Sequence, residues 1–96
     1  MIIKVKFQGK VLKFYLGSRG DFASFYQGFV ENSYHSLIAM IQKGDTVIDA
    51  GANIGEFTVI ASTLVGPEGQ VISIEPGPEN VKTLKKNVEL NELKNV

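Results

Sequence analysis

The chain has no cysteine, no tryptophan, a single histidine, three prolines and no net charge. Without cysteine there are no disulfides and no thiolate metal sites, an absence that is neutral between an intracellular and an exported protein. His35 has no second histidine to form a metal site, so a surface or partly packed role is expected for it. Ten Lys and Arg balance ten Asp and Glu. No net field therefore draws the protein to nucleic acid or an anionic membrane; binding there would need a local patch, and no nucleic-acid partner is expected. Long apolar runs are also missing. No segment approaches the ~20 apolar residues of a membrane span, and the opening MIIKVKFQ alternates apolar and polar residues, unlike a signal peptide. A soluble cytoplasmic protein is the expectation. At 96 residues and 44% hydrophobic content, the chain can build one core, although only about two-thirds of the unfolded surface is buried at this size.

Ile3, Val5 and Phe7 alternate with Lys4 and Lys6, and after Gln8-Gly9 the alternation resumes with Leu12, Phe14 and Leu16. That pattern predicts a β-hairpin. Gly17 to Gly20 break it, and Asp21 is placed to cap a helix whose Phe22, Phe25, Tyr26 and Phe29 recur at helical spacing, with Gly28 weakening its end. A second helix is expected from Ser33 as cap, with Tyr34, Leu37, Ile38 and Ile41 on one face and Gly44 as its stop. These aromatic stripes read as core.

Thr46, Val47 and Ile48 then form a β-branched run closed by Asp49. Gly51 and Gly55 loosen the turn, and Phe57, Ile60, Ala61, Leu64 and Val65 make one apolar helix face that ends at Gly66-Pro67. Val71, Ile72 and Ile74 form a second strand ending in Glu75-Pro76-Gly77. Pro78 suits the first position of a final helix bearing Val81, Leu84 and Val88, while Lys85 and Lys86 read as a solvated face. The order is β-α-β-α. Two parallel strands joined by a crossover helix bring Asp49 and Glu75 to the same edge of the sheet.

A strand, a glycine turn and a helix form a place where open α/β sheets bind ligands. A phosphate-binding loop needs Lys and then Ser or Thr after its last glycine, where this chain has Glu56 and Phe57. A dinucleotide fingerprint would place glycines at 51, 53 and 56, where the chain has Gly51, Asn53 and Glu56, and the carboxylates of Asp49 and Glu56 would repel a pyrophosphate. S-adenosylmethionine carries no phosphate, and its ammonium and sulfonium suit a carboxylate at the end of the first strand. Glu75 could accept bonds from both ribose hydroxyls. Each residue also has a plainer role: Asp49 as a turn former, Asn53 as a helix cap, Glu75 as a solvated strand end.

DAGANIGEFT followed by VISIEPGPENVKTLKKNVELN resembles the FkbM-type S-adenosylmethionine-dependent methyltransferases, of the Rossmann-like class. The resemblance covers residues 44–96. It implies an α/β fold of which this chain carries the amino-terminal part only: residues 1–44 as hairpin and helical cap region, and residues 45–96 as the first half of the cofactor-binding domain. It further implies Asp49, Gly51 and Gly55 as the glycine-loop cofactor site, Asn53 as shaping the turn, and Glu75 as the ribose-binding acid. Glu31 and Tyr34 are placed like pocket-edge residues. The implied reaction is O-methyl transfer to a small molecule or sugar. The later strands that carry an acceptor pocket and base are absent, so the catalytic residues are unknown and this chain alone is expected to be inactive. A different class remains open: a non-catalytic module that self-associates through its exposed sheet edge.

Overall fold

The computed structural model describes residues 1–31 and 34–96. It contains strands β1 (Ile2–Phe7) and β2 (Lys10–Tyr15), helices α1 (Arg19–Phe29) and α2 (His35–Met40), then β3 (Thr46–Ala50), α3 (Glu56–Val65), β4 (Gln70–Ile74) and α4 (Pro78–Leu90). The first two strands form an antiparallel hairpin and the last two a parallel pair. Gln8 and Gly9, at φ +48° and +79°, make the two-residue hairpin turn, whose positive φ angles match the twist of the strands. Leu12, Phe14 and Leu16 face inward and are buried, packing with Phe25, Ile54, Val59 and Ile60. The main core thus crosses the boundary between the hairpin region and the β-α-β-α unit.

Two expectations for α1 are corrected. Its cap is Ser18, whose hydroxyl accepts from the Asp21 N–H at 3.1 Å, while the Asp21 carboxylate reaches back to the Gly17 N–H at 2.8 Å. Asp21 therefore closes a reciprocal cap from inside the first turn. The four-residue aromatic stripe also divides: Phe25 and Phe29 stack at 4.7 Å and meet Phe14 at 5.3 and 5.1 Å, whereas Phe22 and Tyr26 remain 47% and 45% exposed. Gly28 is buried inside the helix, because a Cβ there would lie 2.4 Å from Cε2 of Tyr34. Helix α2 ends at Met40, and Ile41 is already extended, so Gly44 does not stop it. Gly44 instead sits at φ +88° in the turn before β3. The expected cap Ser33 lies outside the described residues.

Strands β3 and β4 pair in register, Val47 with Val71 and Asp49 with Ser73. One face packs under α3, where Ala61, Val65 and Val71 meet Val47, Phe57 and Ile41. The other face leaves Ile48, Ile72 and Ile74 exposed at 65%, 43% and 54%. Beyond α4 the backbone returns to the sheet, and the Val71 N–H donates to the Asn95 carbonyl at 2.8 Å on the outer edge of β4.

The hairpin is fastened to α4 by two asparagines four residues apart, hence on one helix face. The Asn87 amide accepts from the Tyr15 N–H at 2.6 Å and donates to the carbonyls of Tyr15 and Ile54 at 3.3 and 2.8 Å. Asn91 accepts from the Lys13 N–H at 2.8 Å and donates to its carbonyl at 2.7 Å. Side-chain amides thereby stand in for a third strand along the free edge of β2. Asn87 is fully buried and the Asn91 bonds are exposed, which sets the size of each effect. Asn87→Ala should cost about 1–3 kcal/mol in urea unfolding, since it strands buried backbone groups, against roughly 0.5–1.5 kcal/mol for Asn91→Ala. Equal losses would show that burial does not decide the strength of this seam.

Candidate functional site

The two parallel strands end on one rim, and their pairing continues past them: the N–H groups of Gly51 and Ala52 both donate to the Ile74 carbonyl, at 2.9 and 3.0 Å. The turn then passes through left-handed conformations at Gly51, Asn53 and Gly55. Gly55 is the cap of α3, at φ +90°, and a Cβ there would come within 3.0 Å of Leu84 Cγ on α4. Gly51 has nothing within 4 Å of the place a Cβ would occupy. Its backbone faces open space, as a ligand-approach glycine must. Asn53 is not the cap; its N–H donates to Glu75.

Glu75 is held by three donors. The Asn53 N–H reaches Oε1 at 2.8 Å, the Gly77 N–H reaches Oε2 at 2.8 Å, and the Asn80 amide approaches Oε2 at 3.4 Å. The Gly77 and Asn53 N–H groups keep its pKa below the usual carboxylate range. A carboxylate has about four lone-pair sites, so the oxygens retain acceptor capacity toward solvent.

Asp49 stands on the same rim in a different state. It is buried, and Oδ2 accepts from the Thr58 hydroxyl at 2.6 Å, with Ser73 Oγ 2.7 Å from that hydroxyl. Burial pushes its pKa up, the Thr58 bond opposes this, and the nearby charge of Glu75 adds to the rise. Asp49 therefore lies beneath the first turn of α3, while Glu75 is half-buried at the rim.

The third acid of this cluster is Glu56, which follows the glycine turn at the mouth of the helix. Glu56, the first residue of α3, turns inward and is 1% exposed. Ser24 of α1 donates to its Oε1, and among the described residues Oε2 has no hydrogen-bond partner. Burial is the main reason its pKa is raised. The Tyr34 hydroxyl faces the same carboxylate, and burial, then the charges of Glu56 and Asp49, push its pKa above the ordinary tyrosine value. The Tyr34 ring rests between Gly28 and Phe57, 5.0 Å from the latter. Tyr34, Phe57, Asp49, Gly51, Ala52 and Asn53 line a cleft of about 580 Å³, within the ~300–1,000 Å³ of small-molecule sites. Glu75 borders the groove between β4 and α4 on the other flank of the turn. Glu31 is exposed after α1, outside the cleft, and His35 is exposed at the start of α2.

The sequence model of the TRM5/TYW2 methyltransferase domain matches residues 22–96. The chain belongs to that family. An arsenite methyltransferase of Halobacterium salinarum is 36% identical over 58 residues, 60% of this chain and 15% of the relative. A tRNA (adenine-N(1))-methyltransferase of Methanocaldococcus jannaschii is 40% identical over 50 residues, 52% of this chain and 18% of the relative. Among solved structures, a SAM dependent methyltransferase from Aquifex aeolicus superposes with TM-score 0.61 at 29% identity, over 76% of this chain and 38% of that one. The α/β fold is thus that of Rossmann-like methyltransferases. This TRM5/TYW2-family chain spans less than a fifth of the length of these two curated relatives.

The buried acids fix a pH response. An acid whose pKa is higher folded than unfolded gains a proton on folding, so its contribution to stability grows as pH falls through the folded value and levels off near the ordinary carboxylate range, ~4. Asp49 and Glu56 both have this sign. Glu75 has the opposite sign, and its contribution is lost as pH falls into and below that range. The melting temperature should therefore rise as pH is lowered from 7 toward about 5. Glu56→Gln should raise it at pH 7 and flatten the rise; an unchanged profile would show that Glu56 is not ionised in a buried setting.

Proposed function

We propose that this chain is the S-adenosylmethionine-binding half of a methyltransferase. The observation that carries the reading is the glycine-turn rim, with a half-buried carboxylate held by backbone N–H groups on one flank and, on the other, a buried carboxylate with no basic partner among the described residues, in a chain of this family. The residues fit the cofactor on three counts. Gly51 leaves its backbone open to a ligand. Glu75 has its oxygens fixed by Asn53 and Gly77 and keeps acceptor sites for two ribose hydroxyls. Asp49 and Glu56 supply negative potential with no basic side chain among the causes of their pKa shifts, which suits an ammonium or sulfonium end.

Glu75 would hold the ribose, Asp49 the potential beneath the turn, and Gly51, Asn53 and Gly55 the loop shape, with Tyr34 and Phe57 walling the cleft. When bound, the cofactor supplies an activated methyl group. What the protein adds is alignment with an acceptor, worth up to ~7–11 kcal/mol, and the described residues show no acceptor pocket for it. The acceptor we favour is a hydroxyl of a small molecule or sugar, the class implied by the FkbM-type motifs. The arsenite and tRNA named for the relatives are the alternatives that an acceptor screen of the full-length protein would separate.

A second reading has one observation in its favour. The face bearing Ile48, Ile72 and Ile74 is apolar and exposed, which suits a module that associates with another chain. Light scattering separates the two, since a monodisperse monomer at high concentration counts against association. For the leading reading, Glu75→Ala should weaken S-adenosylhomocysteine binding by about 1.5–3 kcal/mol in calorimetric titration, the range for hydrogen bonds to a charged group. Unchanged affinity would refute the ribose role.

A further inference from the structure

The two sides of α1 meet different surroundings. Phe25 and Gly28 are buried, and Phe25 and Phe29 pack into the core. Arg19, Phe22, Ala23, Tyr26 and Val30 are exposed, and at about 3.6 residues per turn they share one face of the helix. Phe22, Tyr26 and Val30 keep 47%, 45% and 56% of their surface in water. The rings of Phe22 and Tyr26 stand 6.4 Å apart, so these side chains form one apolar surface rather than scattered contacts with solvent. Phe22 also walls an open depression of about 570 Å³ together with Met1, Leu16 and Arg19.

The ends of this stripe carry charges set against their own helix. Arg19 is the first residue of α1, where the helix dipole is positive, and Glu31 follows the C-cap Val30, where the dipole is negative. The Glu31 N–H still donates to the Tyr26 carbonyl at 3.2 Å, which keeps this acid against the last turn. Asp21 has the favourable sign in the first turn, but it lies on the other side of the helix and is engaged by the Gly17 N–H. Neither Arg19 nor Glu31 has an ion-pair partner among the described residues. A lone α1 therefore loses from both charges. A neighbouring helix of the same sequence running the opposite way reverses both effects.

We propose that the outward face of α1 is a homodimer interface, in which two copies of this helix pack antiparallel about a two-fold axis at Tyr26. With a rise of about 1.5 Å per residue, Arg19 lies roughly 10 Å to one side of Tyr26 and Glu31 roughly 8 Å to the other. The axis sets Arg19 beside the partner's Glu31, each next to the helix end that suits its sign, and sets Phe22 beside the partner's Val30. Ala23 adds only a methyl group and lets the backbones approach. Every contact occurs twice, so the patch is its own complement, as an isologous dimer requires. The stripe lies on the α3 side of the sheet, because Phe25 of the same helix packs with Val59 and Ile60, whereas Ile48, Ile72 and Ile74 point away from α3. None of the stripe residues lines the cleft beside Asp49. The interface is thus independent of the methyl-transfer reading.

Sedimentation equilibrium from about 10 µM to 1 mM tests it. A monomer–dimer equilibrium is expected. Phe22→Ser/Tyr26→Ser should weaken it at least ~10-fold, as truncation of anchor side chains at an interface centre does. Arg19→Glu and Glu31→Arg should each weaken self-association by setting like charges together. An equimolar mixture of these two variants should associate more tightly than either alone, since both contacts then pair a Glu with an Arg, a recovery that a folding defect in either variant would not produce. Ile72→Lys should leave the dimer unchanged. A monomer throughout the range, a mixture that associates no better than its components, or association abolished by Ile72→Lys and kept by Phe22→Ser/Tyr26→Ser would overturn the proposal. A protein that dimerises in this way but binds no S-adenosylhomocysteine would count against the proposed function alone.

Discussion

The carboxylate of Glu75 ties together the loops that follow both parallel strands. One oxygen takes the N–H of Asn53 from the turn after β3, and the other takes the N–H of Gly77 from the turn after β4. Backbone N–H groups in tight turns have no helix or ladder partner of their own. An ionised acceptor on the rim satisfies one from each loop, and charge-assisted bonds are the stronger kind. The left-handed angles at Gly51, Asn53 and Gly55 bring the Asn53 N–H within reach, and Leu84 packing against Gly55 sets α4 beside the same turn. A residue proposed to contact the ribose is thus also the clasp that shapes its own site.

Beneath the clasp lies a cost of the opposite kind. Asp49 and Glu56 are buried carboxylates whose partners among the described residues are neutral, the hydroxyls of Thr58, Ser24 and Tyr34. Buried charge of this sort destabilises a fold unless something compensates it. A cationic ligand would offset the penalty at Asp49, and Glu56 extends the same negative potential toward Tyr34 and the amino-terminal helix. Local arrangements that oppose stability tend to mark function.

Much of the architecture was legible because local chemistry decided it. Gln8-Gly9 between alternating strands dictated a hairpin, Pro78 after Gly77 fixed the start of α4, and the β-branched runs before Asp49 and Glu75 fixed two strands whose parallel pairing set both acids on one rim. Where tertiary contacts chose between local options, the pattern misled. Ser18 and Asp21 can each cap α1, and the Gly17 N–H decides between them by engaging Asp21. Phe22 and Tyr26 share the helical spacing of Phe25 and Phe29 but face away from the hairpin. The sequence sets Glu56 at the mouth of the helix beside Asp49, but its burial depends on a contact with Ser24, far away in sequence. Asn87 and Asn91 look like ordinary polar residues of an exposed helix, because a bond to the backbone of another strand leaves no periodic signature.

The central claim is that the rim holds a cationic nucleoside between the Glu75 clasp and the Asp49 cleft. A crystal structure of the chain with S-adenosylhomocysteine tests it most directly. The account predicts both ribose hydroxyls within hydrogen-bonding distance of Glu75, about 2.5–3.0 Å, with the amino-acid end in the cleft lined by Asp49 and Tyr34. A ligand bound elsewhere, or a ribose turned away from Glu75 with the Asn53 and Gly77 bonds intact, would contradict it.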